Sequence, residues 1–242
     1  DFCLSRGLGD VYKRQLKGDL DTYELIQKDL KKTPGNITLF VLGDMIGPEK
    51  NCNALLNRLI NPKKNEIRPQ CIYGWWEEQL LAESGYRGNQ KAESLRINKG
   101  EEVIKSLIDA VDKSFLNWLA SLQFGFVELE CGLIHGSSRD VGDYLTLDTP
   151  PLTLLDRLTR LQVNRLFTAR SKQQFHLELK EGVIESVVND LNGKSNQEQK
   201  VPKKAVIGIG AGKNYTIYDV GTDHTQFVRA GYQSEKIIKG FG

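Results

Sequence analysis

The hydrophobic pattern changes style along the chain. Residues 22–32 carry apolar side chains at 23, 25, 26 and 30, which is helical spacing. Pro34-Gly35-Asn36 then breaks the pattern. Residues 37–42 (ITLFVL) form a continuous, β-branched apolar run, as in a strand buried on both faces. Residues 53–60 are again helical, with Asn61-Pro62 as a stop, and residues 71–73 read as a short strand ending at Gly74. Helix, buried strand, helix, strand is the rhythm of a parallel α/β sheet.

Residues 79–122 are mostly helical, with a polar break near 85–89. Residues 127–134 read as one strand ending in His135-Gly136-Ser137, 152–161 as an amphipathic helix and 164–168 as a strand. The last part reads as short antiparallel strands at 174–179, 183–188, 204–209, 214–220 and 225–230, with a polar loop over 192–200. There is no internal repeat and no low-complexity tract.

Composition narrows the classes. The chain has 242 residues, 39% of them apolar, and a formal net charge of +2. That length and apolar content suit an ordinary globular domain. The near-neutral balance argues against a dedicated nucleic-acid or membrane-surface binder, and neither partner is expected. No apolar run reaches the roughly 18 residues of a bilayer span.

Residues 1–15 (DFCLSRGLGDVYKRQ) have no helical or strand period and resemble translated sequencing-adapter read-through. They are read as a non-native leader, with a single domain over 16–242. The natural central strand of the sheet is then expected to be truncated. Residues 11–17 are a candidate for its place, although Lys13 and Arg14 suit a buried strand poorly. Outside the leader, Cys52, Cys71 and Cys131 stand at unrelated spacings with no C-x-x-C and no zinc pattern. A reduced, cytoplasmic protein is expected.

Candidate chemistry sits where strands end, the usual place for sites in open α/β sheets. Gly18-Asp19-Leu20-Asp21 opens a helix. Gly43-Asp44 with Gly47-Pro48, then Gly74-Trp75-Trp76-Glu77, His135-Gly136-Ser137 and Ala169-Arg170-Ser171-Lys172 follow successive strands. Two other readings fail. Ser137 lacks a G-x-S-x-G context, and the glycines at 208, 210 and 212 precede a strand (YTIYDV) where a phosphate loop would precede a helix. His176 and His224 fall in the antiparallel strands and read as surface residues.

The ordered series Gly-Asp, Gly-Asp-x-x-Gly-Pro, His-Gly-Ser resembles the calcineurin-like metallophosphoesterases, in particular their small bacterial branch. Trp118-Leu119-x-x-Leu122, Asp143-Tyr144-Leu145 and the closing YTIYDV strand extend the likeness from about residue 16 to the end. The resemblance implies a four-layer α/β/β/α sandwich of two mixed sheets, with a helical insert over about 79–122. It also implies two divalent metals bridged by a hydroxide that attacks phosphorus.

Residue by residue, the likeness is incomplete. Asp19, Asp44 and His135 match metal-ligand positions, and Asp21 stands where the family has histidine. Trp75 and Trp76 replace an asparagine ligand and the catalytic histidine. Arg170 and Lys172 replace two histidines. Asp21 could still ligate a hard metal through oxygen. Indole cannot ligate, and guanidinium has no lone pair.

The expectation is therefore a catalytically impaired family member, a pseudoenzyme that binds a phosphorylated small molecule or a protein partner and holds no resident cofactor. Arg170 and Lys172 would replace the metals electrostatically, and both are candidate phosphate-binding residues. Trp75 and Trp76 are candidate stacking residues, with packing the stronger reading. Asp19 and Asp44 have a competing reading as turn-forming helix caps. His135 reads equally as a ligand or as a buried, hydrogen-bonded histidine. The alternative is an active phosphoesterase using one divalent ion (Mn, Fe, Zn or Mg) on Asp19, Asp21, Asp44 and His135.

Overall fold

The computed structural model describes residues 8–13, 16–33, 35–87, 96–97, 99–179 and 203–231. The described residues form two five-stranded mixed sheets with helices.

The first sheet contains β1 (Leu8–Lys13), β2 (Asn36–Leu42), β3 (Pro69–Ile72), β9 (Asn214–Asp219) and β10 (His224–Arg229), in the order β10-β9-β1-β2-β3. β1, β2 and β3 run parallel, as the helix–strand rhythm requires, and β9 joins β1 antiparallel. The second sheet has β4 (Gly125–Glu128), β5 (Cys131–Ile134), β6 (Arg165–Thr168), β8 (Lys204–Ile209) and β7 (Gln174–Leu179), in that spatial order.

The stretch set aside as a leader therefore contributes a central strand. β1 pairs with β2 on one side, Leu8 opposite Asn36 through Lys13 opposite Val41, and with β9 on the other. It begins earlier than the 11–17 segment suggested for this place. Lys17 (φ 42°) and Gly18 (φ 76°) are left-handed, so an extended strand cannot run through them.

Three more differences have local causes. The single strand expected over 127–134 is a hairpin of β4 and β5. Its two-residue turn, Leu129-Glu130, has positive φ at both positions, the primed turn that matches strand twist. β8 pairs antiparallel with β7 but parallel with β6, so it is not a purely antiparallel element. The expected strand over 183–188 and the loop over 192–200 lie outside the described residues.

Helices α1 (Leu20–Leu30), α2 (Asn53–Ile60), α3 (Trp75–Glu83), α4 (Glu101–Asp109), α5 (Leu116–Ser121) and α6 (Pro151–Leu161) supply the flanking apolar faces. α4 and α5, with a 3-10 turn at Lys113–Phe115, lie in the stretch 79–122 read as mostly helical, and α3 enters it from four residues earlier, at Trp75. Alternation along β2 sorts the cores. Leu39 and Val41 face a cluster with Tyr23, Ile26, Leu55, Leu56, Leu80 and Leu107 of the helices. Phe40 and Leu42 face Leu133, Phe167 and Ile207 of the second sheet. Ile134, Leu166 and Val206 of that sheet pack on Leu154 and Leu158 of α6. Period-two strands and amphipathic helices thus give three apolar clusters separated by the two sheets. Among the described residues no helix is long and apolar enough to cross a membrane.

Candidate functional site

The site lies where β2, β3, β5 and β6 end. Asp44 follows β2 in a left-handed conformation (φ 51°), which turns the chain sharply out of the sheet. Gly43, also left-handed, and Gly74 let the β2 and β3 ends touch. A Cβ on Gly43 would lie 2.4 Å from the Gly74 Cα, and one on Gly74 would lie 2.3 Å from the Asp44 amide nitrogen. Glycine is required at both places by close approach, and at Gly43 by φ as well.

Glu77 binds this crossing together. Its carboxylate is fully buried and accepts four backbone amides: Asp44 (2.9 Å), Met45 (2.7 Å), Ile46 (3.1 Å) and Gly74 (2.8 Å). Burial pushes the Glu77 carboxyl up to about 7, and the neighbouring Asp44 carboxylate pushes the same way; the amide donors oppose both. Glu77 ends the Gly74-Trp75-Trp76-Glu77 motif, and the sequence assigns it no role. The available signal was an acidic residue three positions after a helix-opening glycine, the spacing of a capping box.

Asp44 in turn caps α3, its Oδ1 accepting the Trp76 amide at 3.0 Å. Its helix-capping role is therefore observed, although the helix is not the one next in sequence. His135, at the end of β5, reaches the same carboxylate. Its Nδ1 is 2.7 Å from the Leu42 carbonyl oxygen, and its Nε2 is 3.3 Å from Asp44 Oδ1. A carbonyl can only accept, so Nδ1 carries a proton. The Nε2 contact is then attractive when the ring is an imidazolium or the carboxyl holds the proton. Both side chains are completely buried.

Asp19 is committed locally. Its Oδ1 accepts the Thr22 amide at 3.1 Å and its Oδ2 the Thr22 hydroxyl at 2.8 Å, the geometry of an N-cap on α1. The Gly18-Asp19 turn is held against the Asp44 loop by Lys17 N to Asp44 O (3.2 Å) and Gly18 N to Met45 O (2.8 Å). Asp21 is exposed in the first turn of α1.

The two indoles stand at the start of α3. Trp75 and Trp76 meet edge to face with ring centroids 4.7 Å apart. Trp76 is buried in the helical core, and Trp75 is half-buried at its margin. Each carries a cation. The Arg170 guanidinium carbon lies 4.7 Å from the Trp75 ring centre and 5.8 Å from that of Tyr144. Lys17 Nζ lies 5.7 Å from the Trp76 ring centre and also ion-pairs with Glu49. Arg170 is placed by its own amide, which donates to the His135 carbonyl at 2.7 Å. Lys172, two residues on, is exposed and left-handed (φ 64°).

A second network braces the His135 turn, joining Ser137 and Asp143 of the sequence motifs to Arg157, which the sequence pattern does not single out. Asp143 accepts the buried Ser137 hydroxyl and the Arg157 Nε (2.8 Å), and Arg157 of α6 also pairs with Asp156. Burial raises the Asp143 carboxyl, but Ser137 and Arg157 outweigh it and hold the group below its ordinary value.

The donor set can be tested against the metals that the resemblance implies. Asp44 and His135 converge. The two Asp19 oxygens cap a helix, Asp21 faces solvent, and indoles with their cations fill the adjoining positions. No group of three or more His, Cys, Asp or Glu side chains among the described residues could hold a metal ion. The residues present do not fit a dinuclear centre.

No family model matches the chain, and no curated protein does. Solved structures do match. A hypothetical protein from Pyrococcus horikoshii OT3 superposes with a TM-score of 0.67 at 12% identity, over 96% of this chain and 91% of that one. A metallophosphoesterase from Sphaerobacter thermophilus superposes with a TM-score of 0.61 at 14% identity, over 94% of this chain and 90% of that one. The chain has the calcineurin-like phosphoesterase fold.

Proposed function

We propose that the protein is a catalytically impaired relative of the metallophosphoesterases, a cytoplasmic binding or regulatory module for a phosphorylated small molecule or a protein partner. The observation that carries this reading is the pair of indoles beside Asp44. By the sequence resemblance Trp75 and Trp76 stand where an asparagine ligand and a catalytic histidine would act, and neither ring, packed edge to face beside Asp44, offers a lone pair or a transferable proton of suitable acidity. Loss of a general acid alone lowers a rate by roughly 10²–10⁴. Arg170 and Lys172 follow β6 and would present charge to an anionic group, the guanidinium in a planar, fork-shaped array suited to phosphate oxygens.

The test is hydrolysis of chromogenic phosphate mono- and diesters with added Mn²⁺, compared with an Asp44→Asn variant. The expected result is no turnover above background for either protein. Turnover that disappears in the variant would establish instead an active phosphoesterase with an altered site.

A further inference from the structure

We infer that this chain closes the strand-end site with its own cation–indole array and takes up no pair of divalent ions there. The inference deepens the reading above by assigning what fills the site, and it rests on that reading only for its biological meaning.

Three observations support it. First, the groups that could ligate are already engaged. Asp44 receives the Trp76 amide and faces His135, whose other nitrogen is fixed on the Leu42 carbonyl. The Asp44 Oδ1 that faces His135 Nε2 at 3.3 Å is the same oxygen that accepts the Trp76 amide, so a metal there would compete with the start of α3. Second, Asp19 cannot swing in without giving up both oxygens of a helix cap. Third, the neighbouring space holds positive charge on aromatic faces: Arg170 on Trp75 and Lys17 on Trp76, with the two rings in edge contact. Lys17 is offset by its ion pair with Glu49, so the repulsion a divalent ion would meet there comes from the Arg170 guanidinium. The array also explains why the indoles come as a pair, since each ring supports one cation and packs its edge or face on the other.

The experiment uses the full chain, expressed with Mn²⁺ and Zn²⁺ supplied. Elemental analysis and calorimetric titration with each ion should give far less than one ion per chain. The melting temperature should be the same with millimolar Mn²⁺ and with a chelator. Two tightly bound ions per chain, or a melting temperature that falls on chelation, would overturn the inference. A second readout addresses the array without any metal. In a Trp118→Phe background, Arg170→Ala should shift indole emission to the red and increase acrylamide quenching, with far-UV dichroism retained. Unchanged emission and quenching in the folded variant would overturn the array. The outcomes stay separable: a chain that binds two ions yet hydrolyses nothing refutes this inference alone, and a metal-free chain that hydrolyses phosphate esters refutes only the proposed function.

Discussion

Asp44 and Glu77 hold each other's segments: the Glu77 carboxylate accepts the Asp44 amide at 2.9 Å, and the Asp44 carboxylate accepts the amide of Trp76, one residue before Glu77, at 3.0 Å. This reciprocal exchange joins the end of β2 to the start of α3. It also places two acidic groups in one fully buried site, where the Asp44 carboxylate raises the cost of charging Glu77.

Glu77→Gln keeps the shape but offers one acceptor oxygen to four amides. At least one amide donor then faces an NH₂ group, at a cost of about 1–3 kcal/mol for each buried group left unsatisfied. Glu77→Ala removes every acceptor and should lower stability by more than the glutamine variant does. Urea unfolding at fixed pH measures both. A glutamine variant as stable as the parent would show that the carboxylate does not hold the crossing.

The pH dependence follows from the same group. The folded Glu77 carboxyl sits near 7 against an ordinary value of 4.5, so the folded state binds this proton more tightly than the unfolded state does. Its contribution to stability is complete below about 4.5 and is lost as pH rises through about 7. The depressed carboxyls of Asp143 and Asp223 act oppositely, contributing above their ordinary range and failing as acid is added. The difference in unfolding free energy between the parent and Glu77→Gln should therefore fall between pH 5 and 7.5. A flat difference would mean that Glu77 ionises normally.

The repeating elements of this fold were legible because burial has a period. The helix over residues 53–60 matches its apolar spacing to the residue, and ITLFVL is a central strand because both its faces meet apolar clusters. The β4–β5 turn was hidden, since Leu129-Glu130 carries none of the glycine or asparagine that usually marks positive φ. The role of Glu77 is not legible in the sequence, because its four partners are backbone amides, three of them more than thirty residues away. Asp21 shows the converse. A motif match placed it with Asp19, but one residue caps the helix while the other, two positions on, faces solvent.

Asp19 offers a clean separation of roles. As an N-cap it should tolerate Asn, which caps as well, and Ala should cost about 0.5–2 kcal/mol. A metal ligand would show the same loss of metal content in both variants. The expected pattern is a stability loss in Asp19→Ala, little change in Asp19→Asn, and no effect of either on metal content. Thermal denaturation and elemental analysis read the two sides.

β1 is hydrogen-bonded on both sides, to β2 and to β9, so deleting residues 1–15 breaks the first sheet at its centre. A central parallel strand favours continuous apolar sequence, which LGDVYK lacks at Asp10 and Lys13. The deletion should abolish soluble expression, and replacing LGDVYK with an apolar β-branched strand should raise the melting temperature. Equal melting temperatures would show that this segment contributes nothing through its composition.

Gly74 gives the sharpest steric test. A Cβ there would fall 2.3 Å from the Asp44 amide nitrogen, 2.7 Å from Asp44 Oδ1 and 2.8 Å from His135 Nδ1. None of these is the loose end of a flexible side chain. The amide is tied to Glu77, the carboxylate to Trp76 and the imidazole to Leu42, so no neighbour can yield without breaking a buried hydrogen bond. Gly74→Ala should cost more than about 4 kcal/mol, in the range that accompanies overpacking with loss of buried polar partners. Gly85→Ala is the matched control, because a Cβ on Gly85 meets nothing within 4 Å and only its left-handed φ of 79° is penalised. That strain costs roughly 1–2 kcal/mol. Chemical denaturation of the two variants should rank them in this order, and a Gly74→Ala protein no less stable than Gly85→Ala would mean that the β2 and β3 ends do not meet as described.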